Sequence, residues 1–432
     1  MMFAAVQSFD FTPRPGLVLQ GHLSDVKSSE VLQPLEGRVL SLRRAKEPPV
    51  VVAALDILGV PLSFTDRVRN EVQRRCGLAQ IHLLLATSHT HGAPAMLPMM
   101  GMTPDAEFAQ TLESRLVDAM VRGIEGCDEP VVFSVGGSEA YFHTNRRPIP
   151  GTQGACVNRA GVIDPRVRAL RLDRMDGSTL ATLFHFSCHP TSIAGSTGKI
   201  SSDYPGAARR AIESKTGGSA LFLPGCFGNI RPAYVQDGGF RNATAEELFR
   251  SGELLADAVG RATLGQAGRE ADRLSCHTAE LKLDYQSTNP DEKFKELMKT
   301  SPQFVKPTFV EWHARIKEQL RSGGFEPLVT RMQAVAIGPV VLVTVPGEPV
   351  QEIGYAIERM AEAVGIKGVW AMGYSNDMPA YLVTQQHKSE GGYEPNAYPY
   401  FDKPAPFANE QEAIQQTAEK LLEALVQAPR IA

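Results

Sequence analysis

The sequence predicts an α/β protein in which mixed β-sheets are flanked by α-helices and a metal site lies at strand ends. Three observations carry this. Short apolar runs alternate with longer amphipathic stretches along the 432 residues, the pattern of sheets layered with helices. The segment 330–346 reads as two strands broken at Gly338-Pro339, a hairpin, so the sheet is not purely parallel. Finally, two apolar runs end abruptly in imidazoles. They are Leu83-Leu84-Leu85-Ala86-Thr87-Ser88-His89-Thr90-His91-Gly92 and Leu183-Phe184-His185-Phe186-Ser187-Cys188-His189-Pro190, and they hold four of the chain's ten histidines.

Strands are expected at 50–57, 81–88, 130–135, 168–173, 180–187, 219–223, 332–345 and 367–373, each a short apolar run. Helices are expected at 65–77, 105–125, 205–215, 244–263, 307–321, 349–364 and 409–427. Within Gln110–Met120 apolar residues recur at i+3 and i+4, the spacing of a helix that packs on a sheet, and Glu410 to Val426 repeats the pattern. No internal sequence repeat is evident. Residues 284–306 are polar and rich in Lys, Pro and Ser, and read as a surface excursion, part of a possible insertion spanning about 284–325. The stretch 389–408 carries Tyr393, Tyr398 and Tyr400 among glycines and prolines. It has almost no periodicity, and either walls an active site or packs as a surface loop.

Hydrophobic residues make up 43% and charged residues 21%, an ordinary globular balance with material for a sizeable core. The net charge of −4 lacks the basic excess of a nucleic-acid-binding protein. No run of about 18 apolar residues suggests a membrane span. Met1 to Asp10 lacks the basic and apolar regions of a signal peptide. The six cysteines form no Cys-x-x-Cys pair and read as reduced thiols, which fits a cytoplasmic location. A homo-oligomer remains open.

His89 and His91 are two apart, which on a strand puts both on one face. His185 and His189 are four apart, with Pro190 starting a turn. Neutral imidazole is a common ligand for catalytic metals. Asp203 opens a helix, where it also fits as an N-terminal cap. Pro224-Gly225-Cys226-Phe227-Gly228-Asn229-Ile230-Arg231-Pro232 follows a strand, and its glycines suit close approach of backbone N–H groups to an oxyanion. Glu348, in Val345-Pro346-Gly347-Glu348-Pro349, lies between a strand and a helix. Cys188 and Cys226 sit in no nucleophile-elbow pattern and read as packing residues.

Together these positions resemble the neutral/alkaline non-lysosomal ceramidase family. Ser88-His89-Thr90-His91-Gly92-Ala93-Pro94 is similar to its Ser-His-Thr-His-Ser-Gly-Pro signature. His189-Pro190-Thr191-Ser192, followed by Ser202-Asp203, resembles its second histidine segment, and Thr144-Asn145-Arg146 its Asn-Arg motif. Pro346-Gly347-Glu348 resembles its Pro-Gly-Glu turn. Ser375-Asn376, then Tyr381-Leu382-Val383-Thr384 and Gly391-Gly392-Tyr393-Glu394, resemble its tyrosine segment. The order is preserved from about residue 80 to 395. The resemblance implies one zinc ion per chain, held by His89, His189, Glu348 and Tyr381. It places His91 as a neighbouring or proton-shuttling group, Arg146 and Tyr393 as donors to the oxyanion, and Asp203 as a group that orients an imidazole.

The chain departs from the family at Gly228-Asn229-Ile230-Arg231-Pro232, where Arg231 stands in place of a serine considered as a nucleophile. An acyl-serine at this position is excluded, and activated water is the remaining nucleophile. Gly228, Asn229 and Arg231 become candidate substrate contacts, with Arg231 suited to a carboxylate. The expected molecule is a single catalytic domain, 1–432, without the family's C-terminal β-sandwich-like domain. It would hydrolyse a linear C–N amide bond of a small soluble substrate. An ester, lactone or cyclic amide on the same scaffold, or a non-catalytic metal-binding homologue, are the alternatives.

Overall fold

Leu83, Leu84, Leu85 and Ala86 are all fully buried, yet they serve two layers. Leu83 and Leu85 pack with Phe64, Val68 and Leu112 of two helices, whereas Leu84 and Ala86 pack with Val335, Leu342 and Trp370 of a second sheet. Side chains alternate between the faces of a strand, so a strand covered on both sides reads as an unbroken apolar run. Phe184 and Leu183 divide in the same way.

The computed structural model describes residues 1–427 apart from Lys46, Met100, Pro150, Gly151, Gln153, Ala194 and Asp272. Its main elements form three units of one design. The first runs β1 (Met2–Asp10), β2 (Glu36–Arg44), β3 (Val50–Leu55), α1 (Leu62–Cys76), β4 (Leu83–Thr87) and α2 (Ala106–Glu125). The second runs β5 (Glu129–Glu139), β6 (Arg166–Arg174), β7 (Thr179–Phe186), α3 (Asp203–Thr216), β8 (Ser219–Pro224) and α4 (Ala245–Thr263). The third begins with β9 (Leu274–Leu283), then detours through α5 (Pro290–Thr300) and α6 (Lys306–Arg321). It continues with β10 (Leu328–Ile337), β11 (Val340–Thr344), α7 (Gln351–Ala363), β12 (Val369–Met372), α8 (Gln385–Glu390) and α9 (Glu410–Gln427).

In each unit the first three strands pair antiparallel, and the last two pair in parallel across a helix. Antiparallel pairing of β1 with β5 joins the first two units into an eight-stranded sheet, β8-β7-β6-β5-β1-β2-β3-β4. The third unit makes the four-stranded sheet β9-β10-β11-β12. The sheets pack face to face. Helices α1–α4 cover the outer face of the large sheet, and α7 and α9 cover the outer face of the small one. The threefold design leaves no sequence repeat, because a topology constrains the period of apolar residues and not their identity.

The mixed sheets and flanking helices agree with the sequence. Strands β1, β2 and β9 were not anticipated. In β2 the apolar pattern is interrupted by Arg38, which is buried against Glu36 and Glu213. In β9, an edge strand, most residues stay partly exposed and its pattern is too polar to stand out. The polar excursion at 284–306 holds helix α5. With α6 it forms a hairpin around Leu297, Phe309, Trp312 and Ile316, closed by Tyr398 of the tyrosine-rich loop. The six cysteines are free. No helix among the described residues is long and apolar enough to cross a membrane.

His185 lies in β7, on the interface between the sheets rather than at the strand end with the other three histidines. Its Nδ1 accepts from Arg168 Nη1 at 3.1 Å and its Nε2–H donates to the Ala371 carbonyl at 3.1 Å. Burial, then the Arg168 charge, depress its pKa to about 3. The unfolded chain, with an ordinary imidazole near pH 6.5, therefore binds a proton that the folded chain refuses. Stability present above pH 6.5 is lost as the pH falls toward 3, at up to about 1.4 kcal/mol per pH unit from this residue. Denaturant titrations between pH 7 and 4 should show this slope, and His185→Gln should make it shallower by about one proton's worth. An unchanged slope in the variant would show that His185 is not the acid-sensitive group.

Candidate metal centre

The parallel strand pairs β3/β4, β7/β8 and β11/β12 release their chains at their carboxyl ends, where α/β sheets place ligand sites. His89 follows β4. Its backbone N–H donates to the Ile57 carbonyl at 2.9 Å and its Nδ1–H to the Leu58 carbonyl at 2.7 Å, both beyond the end of β3. His189 follows β7, and its Nδ1–H donates to the Phe227 carbonyl, beyond β8, at 3.0 Å. Glu348 follows β11 and lies in a two-residue parallel ladder in which it is the register partner of Tyr381. Each of the three units thus supplies one side chain to the site.

Fixing both Nδ1 atoms as donors fixes both Nε2 atoms as acceptors. They face each other at 3.0 Å, and Glu348 Oε2 lies 3.2 Å from one and 3.4 Å from the other. Oε2 has no hydrogen-bond partner, although Glu348 is buried. Three lone-pair atoms in van der Waals contact, with no proton assigned between them, repel one another. A cation at their centre relieves that repulsion. Nitrogen and oxygen ligands around tetrahedral zinc stand about 3.3 Å apart, which matches the observed spacings. The residues fit a metal ion.

His91 adds a third imidazole. One nitrogen from each of His89, His91 and His189 lies within 4.8 Å of the others. His22 Nδ1 accepts a hydrogen bond from the Gly195 backbone at 3.2 Å, so at the 3.3 Å contact with His91 Nδ1 it is His91 that donates. This leaves His91 Nε2 buried, unpartnered and carrying a lone pair. Burial first, then neighbouring positive groups, push the pKa of His91 and His189 well below the imidazole norm, so both are neutral. His22 is also held down, to about 4, by burial, Arg231 and Arg146. Gly21 is required beside it, because a Cβ there would meet the His91 ring at 2.2 Å.

Around this centre stand two tyrosines and an arginine. Arg146 Nη2 donates to Tyr381 Oη at 3.0 Å and to the Gly228 carbonyl at 2.6 Å, and Nε donates to Glu394 at 3.0 Å. Burial opposes its charge, but Tyr381 and Glu394 hold its pKa above the ordinary arginine value. Tyr393 packs edge-on to Tyr381, with ring centroids 5.6 Å apart, and its ring lies 5.8 Å from the Arg146 guanidinium. Tyr374 stacks on Phe227 at 4.1 Å and stands 4.4 Å from the His89 ring, its hydroxyl buried without a partner. His89 and Tyr374 both hold left-handed backbone, with φ of 66° and 52°, a strain that functional loops commonly carry.

Some expected roles change. Among the described residues Asp203 makes no hydrogen bond to an imidazole. Its oxygens accept from Ser192 N and Oγ, Ile193 N and Tyr204 N at 2.6–3.4 Å, so it braces the turn that follows His189. Asn229 is fully buried. It receives the Gln351 N–H at 3.0 Å and donates to Glu352 at 2.9 Å, tying down the start of α7. Gly228 serves close packing, since a Cβ would fall 2.7 Å from the Glu348 carbonyl oxygen. Arg231 does lie at the site, one residue beyond Ile230, whose carbonyl accepts the His189 N–H. His22, Tyr374 and Glu394 were missed. His22 lies in no cluster and no apolar run, and only folding brings it to His91. Asn376 shows the same: it reaches Leu85 N, Arg69 and Gln333, pinning the Tyr374 loop to β4.

Two clefts adjoin the loops. One, of about 490 Å³, is walled by Tyr393 together with Thr152, Lys293, Glu296, Glu390 and Asn396. The other, of about 500 Å³, touches Pro94 and Ala95, just beyond His91.

No family model matches the chain. It is 23% identical over 452 aligned positions to the neutral ceramidase of Mycobacterium tuberculosis, covering 86% of this chain and 69% of the relative. Among solved structures it is similar to a ceramidase complexed with C2, with a TM-score of 0.75 at 18% identity, covering 99% of this chain and 75% of that one. The neutral ceramidase of Pseudomonas aeruginosa superposes with a TM-score of 0.74 at 18% identity, covering 98% and 75%. The fold is that of the neutral ceramidases, and the chain is a distant homologue of them.

The convergence of acceptors sets up a test that needs no substrate. Elemental analysis should find a divalent metal in the wild-type protein and none in His89→Ala or His189→Ala. Glu348→Gln introduces an N–H donor among the acceptors. It should weaken metal binding yet stabilise the metal-free protein by about 1–2 kcal/mol in urea unfolding. Destabilisation of the metal-free variant would argue against three mutually repelling lone pairs.

Proposed function

We propose that this homologue of the neutral ceramidases is a zinc-dependent hydrolase that cleaves a linear C–N amide bond with water as nucleophile. The observation that carries the reading is the meeting of His89 Nε2, His189 Nε2 and Glu348 Oε2 at 3.0–3.4 Å with no proton between them. A zinc ion held there by His89, His189, Glu348 and Tyr381 would lower the pKa of a water toward about 7 and polarise the scissile carbonyl.

Tyr381 is favoured over Tyr374 as the fourth ligand. Burial and the Glu348 charge raise the pKa of both phenols, but Tyr381 alone receives a hydrogen bond from a guanidinium, which stabilises a phenolate. A cation held beside it would favour the phenolate form further. His91 serves as the general base. Its Nδ1–H is committed to His22, so its Nε2 lone pair takes the proton from the attacking water and returns it to the leaving amine. Arg146 is held by Glu394 and the Gly228 carbonyl, and with Tyr393 it donates to the oxyanion that forms as the carbonyl carbon becomes tetrahedral. Cysteine nucleophiles are unsuited, because burial raises the pKa of the Cys188 and Cys226 thiols.

The polar wall of the cleft at Tyr393 suits a small polar amide better than a long alkyl chain. Matched N-acyl and O-acyl substrates should therefore be compared, from acyl amino acids to long-chain ceramides. The proposal expects zinc-dependent release of a free amine and loss of activity on chelation. Activity that survives full metal removal would sink it. Tyr393→Phe should keep the metal and lose kcat by ~10²-fold if its hydroxyl binds the oxyanion. Tyr381→Phe should lower zinc affinity more than Tyr374→Phe does, and the reverse order would exchange their roles.

A further inference from the structure

Arg231 is a half-buried cation with nothing to pair with among the described residues. Its guanidinium makes no ion pair and no hydrogen bond among the described residues, and its Nε is wholly buried without a partner. Several buried arginines of the chain are compensated by carboxylates. Arg209 holds Asp56 and Glu36, Arg146 and Arg147 share Glu394, and Arg38 holds Glu36 and Glu213. A guanidinium half withdrawn from water, with no carboxylate beside it, is left open to pair with an anionic ligand.

The position of Arg231 says where that ligand lies. It belongs to a short strand, Ile230–Pro232, that pairs with His143–Asn145, so it is the register partner of Thr144, two residues before Arg146. The Arg146 backbone N–H bonds the Asn229 carbonyl at 2.9 Å, which binds the two arginine-bearing segments together. Phe240, on the hairpin that follows, lies under the guanidinium at 4.4 Å and steadies it by a cation–π contact. The charge of Arg231 bears on His22 and His91, at the edge of the candidate metal centre. Burial and Arg146 lower its own pKa to about 10, so it stays charged at neutral pH. Asp203, whose charge it feels, has both oxygens engaged by Ser192, Ile193 and Tyr204.

We infer that the substrate carries a carboxylate near its scissile bond and that Arg231, steadied by Phe240, binds it. The inference rests on the hydrolase reading above and names the substrate class: an N-acyl compound with a free carboxylate, as in an N-acyl amino acid. The planar fork of arginine matches both oxygens of a carboxylate, which a neutral amide or a simple alcohol does not offer. A site that desolvates a charge for one ligand rejects the isostere lacking it far more strongly than an apolar pocket rejects a missing methylene.

The test compares N-acetyl-alanine, N-acetyl-leucine and N-acetyl-phenylalanine with their C-terminal carboxamides on the zinc-loaded full chain. Both turnover and calorimetric binding are measured. The wild type should prefer the acids by ~10²-fold or more in kcat/KM. Arg231→Gln should bring the acid-to-amide ratio close to one at unchanged zinc content, and Arg231→Lys should retain part of it. Equal handling of acids and carboxamides, binding of neither, or an unchanged ratio in Arg231→Gln would overturn the inference. Preferential binding of the acids without turnover would uphold the carboxylate site and count against the hydrolase instead.

Discussion

The repulsion among three lone-pair atoms governs this molecule. His89 and His189 each spend Nδ1–H on a backbone carbonyl, so their Nε2 atoms arrive at the centre with nothing to donate. Glu348 joins them with an oxygen that no donor satisfies. Such an arrangement is unfavourable by itself and becomes favourable around a cation. The surrounding structure is what holds it: hydrogen bonds donated to the carbonyls of Ile57 and Leu58 on one side and of Phe227 and Ile230 on another, and the ladder to Tyr381 on a third. Strain at His89 and Tyr374, whose backbones are left-handed, belongs to the same balance.

The threefold design explains why the ligands come from so far apart in the chain. Each unit ends in a parallel strand pair, and the groups that matter leave from the carboxyl ends of those pairs. Two units share one sheet and the third packs across it, so three equivalent loop regions meet at one place. The equivalence is architectural. The first unit presents its histidine after the second strand of the pair, the second after the first strand, and the third presents a carboxylate there instead. A donor set of mixed nitrogen and oxygen chemistry results.

Charge sets the character of the surrounding pocket. Arg146, Arg147 and Arg231 stand near the centre, and Glu394 and Glu390 offset only part of their charge. The helical hairpin of α5 and α6 contributes Lys293 and Glu296 to the cleft wall at Tyr393. Neutral imidazoles, a polar cleft and an unpaired guanidinium describe a site shaped by hydrogen bonding and charge more than by apolar contact. On the proposed reading, substrate choice would rest on residues outside the histidine–glutamate cluster.

Period and composition were enough to read the buried strands β3, β4, β7, β8, β10, β11 and β12 and most of the helices. An apolar run buried on both faces, or an amphipathic stripe of helical spacing, is encoded locally. The histidines at the ends of two such runs were legible for the same reason, whereas Glu348 as a ligand followed only from the family resemblance of its Pro-Gly-Glu turn. Strands β1, β2 and β9 were hidden by their polar residues, and Asp203 and Asn229 were read as functional when they brace loops. His22 could not be singled out, because nothing near it in the chain marks its chemistry, while Tyr374 and Glu394 border or end segments that the resemblance marks but drew no role of their own. The sequence by itself determined which segments are strands and which side chains are able to bind a metal. Only the tertiary structure decided which of them meet, since a contact such as His89 to His189, 100 residues apart, depends on how whole sheets pack and not on any local pattern.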